Sequence, residues 1–218
     1  MGVFLMPNLK GGDDMAKKEI RIANTDFELR EKEDEEPKIV GYAAMFNDPA
    51  DETNGFIEKI APGAFHNAIQ KSDIRALINH NPEKILGRAK AGTLDLREDD
   101  KGLYYEIDPP KTTYAQDLMK SMSRGDIDQS SFGFTVAVEE WDDSGDVPVR
   151  TIVEVDELFD VSPVTFPWYE NTESGLKSKD DILQEYRNMK QAKEEEKKEN
   201  LEIYKKKQKS RERMIFNG

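Results

Sequence analysis

At 218 residues the chain is long enough for one well-packed domain and an appendage; with 36% hydrophobic and 35% charged residues, part of it is expected outside any core. A formal net charge of −13 argues against a general nucleic-acid binder, whose phosphate affinity needs basic patches. The lack of cysteine removes disulfides, thiolate nucleophiles and thiolate zinc sites together, and no apolar run nears the roughly 20 residues that cross a bilayer.

In chain order, residues 1–17 show no periodicity and are expected to form a flexible leader. Its "GVFLM" is too short for a signal-peptide core and lacks a basic flank, so a soluble, intracellular protein with no membrane partner is expected. Residues 18–175 have the texture of a mostly β domain. The runs "EIRIAN", "KIVGYAAMF", "FIEKI", "RALINH", "GTLDLRE", "GLYYEID", "SFGFTVAVEEW" and "VRTIVEVDELF" are β-branched or aromatic, and turn signals such as "NDPADETNG", "EDDKG" and "DDSGD" separate them. Such spacing predicts a barrel or sandwich. Two short helices interrupt it. "APGAFHNAIQKS" carries proline near its start, and "TTYAQDLMKSMSRG" offers Thr112 or Thr113 as N-cap, Gly125 as stop, and Tyr114, Leu118 and Met122 on one face.

Residues 176–218 read as a long, highly charged helix. From Lys177 onward the net charge is +4, leaving −17 for the rest. The bland reading is a solvated helix that frays; the other is a partner-binding arm. Three continuous heptads are not present, so a coiled coil is poorly supported.

Without cysteine, serine, threonine, lysine and carboxylates remain as nucleophiles. Of the two histidines, His66 lies in the first helix, whereas His80 ends the run "RALINH" ahead of a turn with Asn81 and Pro82. A base at a strand end is held by the sheet yet open to solvent. Ser131 stands where a loop becomes the strand "SFGFTVAV", and neutral imidazole is suited to take its proton. Gly133 would let backbone amides approach an oxyanion, or mark only a bulge. The run "RTIVEVDELFDVSPV" offers Glu154, Asp156, Glu157 and Asp160 as an acid partner, and strict alternation puts Glu154 and Asp156 on a shared face. No His-Glu-x-x-His cluster is present, so neither a metal nor another cofactor is expected.

Five segments in order, "IVGYAAMFN", "PGAF", "ALINHNPEKILGR", "QSSFGF" and "LFDVSPVTFPWYENT", resemble the HK97-like prohead proteases of tailed bacteriophages, a family of capsid-maturation serine proteases. The resemblance covers roughly residues 20–172. It implies a herpesvirus-assemblin-like antiparallel β-barrel with helices around it. Ser131, directly before Phe-Gly-Phe, is then the nucleophile, and His80 the base. A carboxylate is implied as third member, with Glu154 favoured and Asp156 next. The amide of Phe132 or a neighbour would hold the oxyanion, and Arg88 of "ILGR" would assist it or steer substrate. Implied partners are the major capsid protein and the scaffold protein, with a homodimer as a further possibility. The implied setting is the host cytoplasm and the interior of the immature capsid. The rival readings are a non-catalytic β-barrel scaffolding or adaptor protein of the procapsid, and a fusion of protease-like domain and scaffold arm. One departure, Trp168 in "FPWY" where relatives carry a small residue, is expected to alter packing and not chemistry.

Overall fold

The computed structural model describes residues 4–7, 17–23, 28–30, 37–49, 55–166 and 177–216. Trp168 lies outside them, as does most of the leader. Among the described residues the N-terminal strands are β1 (Phe4–Pro7), β2 (Glu19–Ala23), β3 (Glu28–Arg30), β4 (Lys38–Met45) and β5 (Ile57–Ile60), followed by helix α1 (His66–Lys71). Next come β6 (Arg75–Ile78), β7 (Asn81–Arg88), β8 (Leu94–Glu98) and β9 (Gly102–Ile107), then helix α2 (Thr113–Ser123). The long strands β10 (Gln129–Asp142) and β11 (Val149–Val164) and the helix α3 (Lys179–Phe216) complete the order. β1 lies inside the segment expected to be a flexible leader: it pairs antiparallel with β10, Phe4 opposite Trp141.

Alternation builds the smaller sheet, ordered β3-β4-β9-β8. In β9, Leu103, Tyr105 and Ile107 are fully buried at every second position, the signature of a sheet with one face on a core. The larger sheet has seven strands on the path β1-β10-β11-β6-β7, with β2 also on β10 and β5 also on β11. One hydrophobic core draws on both sheets, including Ile39 of β4, Phe132 and Phe134 of β10, and Val155 and Leu158 of β11. Ala68 of α1 and Leu118 of α2 pack into it. The expected mainly-β texture with few helices is observed. The expected closed antiparallel barrel is not seen among the described residues: the strands form two open paths, and β5 and β6 run parallel to β11. Each of these parallel neighbours is joined to β11 by a long excursion that includes helix α2 and the strands between, as parallel pairing requires.

Thr112 stands at the N-cap of α2 without a side-chain cap hydrogen bond, and Gly125 ends the helix in the left-handed region (φ 77°). There the amides of Gly125 and Asp126 donate to Met122 O and Ser121 O, closing a Schellman motif. Chain contacts separate residues Met1–Lys177 from Ser178–Gly218. The second unit is the expected long charged helix, α3, of 38 residues. Ser178 and Asp181 cap it reciprocally, the Asp181 amide donating to Ser178 Oγ at 3.0 Å and the Ser178 amide to Asp181 Oδ2 at 3.1 Å. Among the described residues no helix is long and apolar enough to cross a membrane.

A charged cluster is sealed inside the larger sheet. Arg150 of β11 is wholly buried, and its guanidinium donates to Glu19 of β2, Glu58 of β5 and Glu139 of β10 at 2.5–3.0 Å. Arg21 of β2 shares two of these acids, donating to Glu58 Oε2 at 2.9 Å and Glu19 Oε2 at 2.7 Å. Burial alone would raise the Glu58 carboxyl; the Arg21 and Arg150 charges outweigh it and take it down to about 2. Replacing Arg150 by Met leaves carboxylates buried without their donors and should cost about 3–5 kcal/mol, read from the urea midpoint. Because the folded Glu58 titrates below its unfolded value, its contribution is complete above about pH 4.5 and is lost toward pH 2. Urea midpoints at pH 6, 4 and 3 should therefore fall in that order.

Candidate active site

The site forms where β10, β11 and the β6–β7 turn meet. Ser131 lies opposite Ser162 across the β10–β11 pair, and Gly133 lies opposite Asp160. These four positions share one face, because residues two apart in a strand point the same way. Asn79 and His80 are the two residues of the turn, between Ile78 and Asn81, which pair. Both have positive φ, 50° and 56°, the conformation of a two-residue type I′ hairpin turn. The segment "NPEKILGR" after His80, read as a turn, is instead strand β7, and Pro82 is tolerated because β7 is the sheet's edge. The turn is tied to the end of β11: Asn79 N donates to Pro163 O at 3.1 Å, and Thr165 N donates to Asn79 Oδ1 at 2.9 Å.

This backbone aims the imidazole. His80 Nε2 stands 2.7 Å from Ser131 Oγ, and Nδ1 stands 2.5 Å from Asp160 Oδ1. Asp160 also accepts from Ser162 Oγ at 2.9 Å on Oδ1 and from Lys18 Nζ at 3.0 Å on Oδ2. Burial acts to raise the Asp160 carboxyl, yet His80 and then Lys18 hold it below its ordinary value, so it stays ionised at neutral pH. A carboxylate on Nδ1 fixes the tautomer that leaves Nε2 as acceptor toward the hydroxyl. Ser131 has one proton and a second acceptor, the Arg21 carbonyl oxygen at 2.9 Å. The hydroxyl thus has two acceptors within reach, that carbonyl and His80 Nε2, and can donate to one at a time.

A cavity of about 200 Å³ opens onto Ser131 and His80. Its remaining walls are Ile20, Ile22, Val164 and Phe166, with Asn79 and Asn81. Phe166 is 59% exposed at the rim.

The expected residues divide sharply. Ser131 and His80 are brought into hydrogen-bond contact; Glu154 and Asp156 are not part of it, and the acid on His80 is Asp160. Glu154 pairs with Val138 across the sheet and accepts from Asn67 Nδ2 at 2.8 Å, and Asp156 forms an ion pair with Lys71 at 2.9 Å. Glu154 lies six residues before Asp160, about 20 Å along a strand. Arg88 is likewise elsewhere, its guanidinium donating to Asp73 at 2.9 and 2.5 Å. The Phe132 side chain is buried and stacked on Phe134, and its backbone runs between β2 and β11, opposite Arg21 and Val161. His66, on α1, stands 3.0 Å from Gln70 Nε2. Reasoning from sequence offered Asp160 without choosing it. The usable signal was its spacing from Ser162: a pair two residues apart on one strand, matching Ser131 and Gly133 on the other.

The family model described as caudovirus prohead serine protease matches residues 25–191, more than half of the chain. Over 141 residues the chain is 34% identical to the prohead protease of Enterobacteria phage HK97, covering 62% of this chain and 57% of that protein. The chain thus spans a little over half the length of that relative. Among solved structures it is similar to the bacteriophage T4 capsid assembly protease, with 13% identity, a TM-score of 0.43, and coverage of 70% of this chain and 99% of the other. With His80, Ser131 and Asp160 all inside the matched span, the chain belongs to the caudovirus prohead serine protease family.

Proposed function

We propose that the chain is a serine endopeptidase of prohead maturation, acting inside the immature capsid on scaffold or on scaffolding segments of the capsid protein, and on itself. The observation that carries this reading is the unbroken chain Ser131 Oγ–His80 Nε2 (2.7 Å) and His80 Nδ1–Asp160 Oδ1 (2.5 Å). Family membership supports the peptidase chemistry, and the HK97 relative's name supports the prohead setting.

In the proposed reaction His80 Nε2 takes the Ser131 proton as Oγ attacks the peptide carbonyl carbon. The imidazolium, stabilised by the ionised Asp160, then protonates the leaving amine, and the acyl group stays on Oγ as an ester. Water entering the vacated position is deprotonated by His80 and releases the acid. The apolar walls Ile20, Ile22, Val164 and Phe166 beside the hydroxyl suit an uncharged side chain near the scissile bond. The charged helix α3, with its excess of base, is the part of the chain suited to contact acidic assembly partners.

The test is self-cleavage, followed by intact mass for the full chain alone and then with the cognate capsid protein. The wild type should lose terminal pieces, while Ser131→Ala and His80→Ala each stay whole. Wild-type chain that stays whole in both settings would overturn the reading. The double variant should be no worse than either single one, since the two groups act as a unit. Asp160→Asn should slow cleavage by about 10³–10⁴-fold through loss of the productive tautomer. Glu154→Gln and Asp156→Asn, remote from His80, should cleave within about two-fold of wild type, as surface substitutions do.

A further inference from the structure

Asp160 has two carboxylate oxygens, and the mechanism uses one. Oδ1 faces His80 and Ser162, while Oδ2 receives the ammonium of Lys18 at 3.0 Å. Lys18 comes from the stretch just before β2, some 140 residues away in sequence. Its ammonium also sits 5.4 Å from the centroid of the Phe159 ring. The ammonium reaches the buried carboxylate through a gap at Gly133. A Cβ at that position would stand 2.3 Å from Lys18 Cε and 2.8 Å from both Lys18 Nζ and Asp160 Oδ2, so any side chain there would collide with the lysine. The glycine of the Phe-Gly-Phe step thus has a specific occupant beside it, and the occupant is charged.

The other charged groups nearby are already engaged. Arg75 of β6, opposite Asp160 in register, directs its guanidinium to Asp73, and Lys177, whose amide donates to Lys18 O, has its ammonium 3.9 Å from Glu19. Glu19 itself is bound by Arg150 and Arg21. Among the described residues Lys18 and His80 are therefore the two cationic partners of the Asp160 carboxylate.

We infer that Lys18 is a positioning residue for the Ser131–His80–Asp160 chain, reaching Asp160 through the gap at Gly133 and sharing its negative charge with His80. The inference rests on the catalytic reading above. Lys18 anchors Oδ2, which keeps Oδ1 turned to Nδ1 and the imidazole turned to Ser131. Without the ammonium the carboxylate keeps its place only through Ser162 and His80 itself.

The experiment needs no identified substrate. The full-length chain is treated with a fluorophosphonate and the rate of mass gain is followed from pH 5 to 9. In that reaction Oγ bonds to phosphorus, the P–F bond breaks, fluoride leaves, and the hydroxyl proton passes through His80 to water. Lys18→Met should slow labelling by up to about 10²-fold, as misplaced catalytic groups do, and Lys18→Arg, which restores a cation on Oδ2, should return the rate close to wild type. Gly133→Ala, which displaces the lysine without removing it, should slow labelling likewise, and it decides the matter if Lys18→Met does not fold. Wild type labelled on Ser131 while both variants keep its rate, or Lys18→Arg as slow as Lys18→Met, would overturn the inference alone. Wild type that is not labelled, or is labelled equally as Ser131→Ala, would overturn the catalytic reading and this inference with it.

Discussion

The register between β10 and β11 is the constraint on which the rest depends. It sets Ser131 opposite Ser162 and Gly133 opposite Asp160, so Ser131 and Asp160 project from the same face of neighbouring strands. A slip of one residue would turn one of them through the sheet to the other side. Hydrophobic contacts on the opposite face oppose that slip, since Phe132 and Phe134 fill the core and the slip would put Ser131 and Gly133 in their places. The packing of two phenylalanines thereby fixes the placement of two polar groups.

The buried cluster around Arg150 does complementary work. Its acids come from β2, β5 and β10, three strands far apart in sequence, and a single guanidinium bridges them. Buried ion pairs often add little net stability over an apolar replacement. What this one provides is direction: a fork of fixed geometry accepts carboxylates only in set positions, so the strands it joins dock in one alignment. Through Glu19 and Arg21 that alignment extends to β2, which supplies one wall of the cavity and the carbonyl beside Ser131.

Much of this was legible in the sequence. The periodic runs gave eight of the strands and both short helices near their observed places, and the serine before Phe-Gly-Phe and the histidine of "INH" do meet. What sequence reasoning missed has particular physical causes. β7 was hidden because Asn81-Pro82 looks like turn chemistry, while the real turn uses Asn79 and His80 in a backbone conformation that no pattern of apolar residues signals. Asp160 was passed over because alternation puts it on the same face as Glu154 and Asp156 and so does not choose among them; only the pairing with β10, Gly133 against Asp160 and Val138 against Glu154, separates them. The register against β10 shifts at four points, between Gly133 and Phe134 and again further along, so facing cannot be carried along the strand by counting. The closed antiparallel barrel failed for a related reason: strand direction depends on partners distant in sequence, and β5 and β6 both lie parallel to β11, a pairing that no local run reveals.

The left-handed backbone at His80 has a consequence for how such a chain could be altered. A non-glycine residue at φ 56° carries a conformational cost of about 1 kcal/mol that glycine would not. Turn preference and imidazole chemistry therefore compete for the same position. Selection for thermal resilience alone would drift toward glycine at residue 80, gaining a better hairpin and discarding the imidazole that joins Ser131 to Asp160. The strained histidine is thus a position where improving the scaffold and keeping the chemistry are opposed, and any library built to harden this fold would have to hold it fixed.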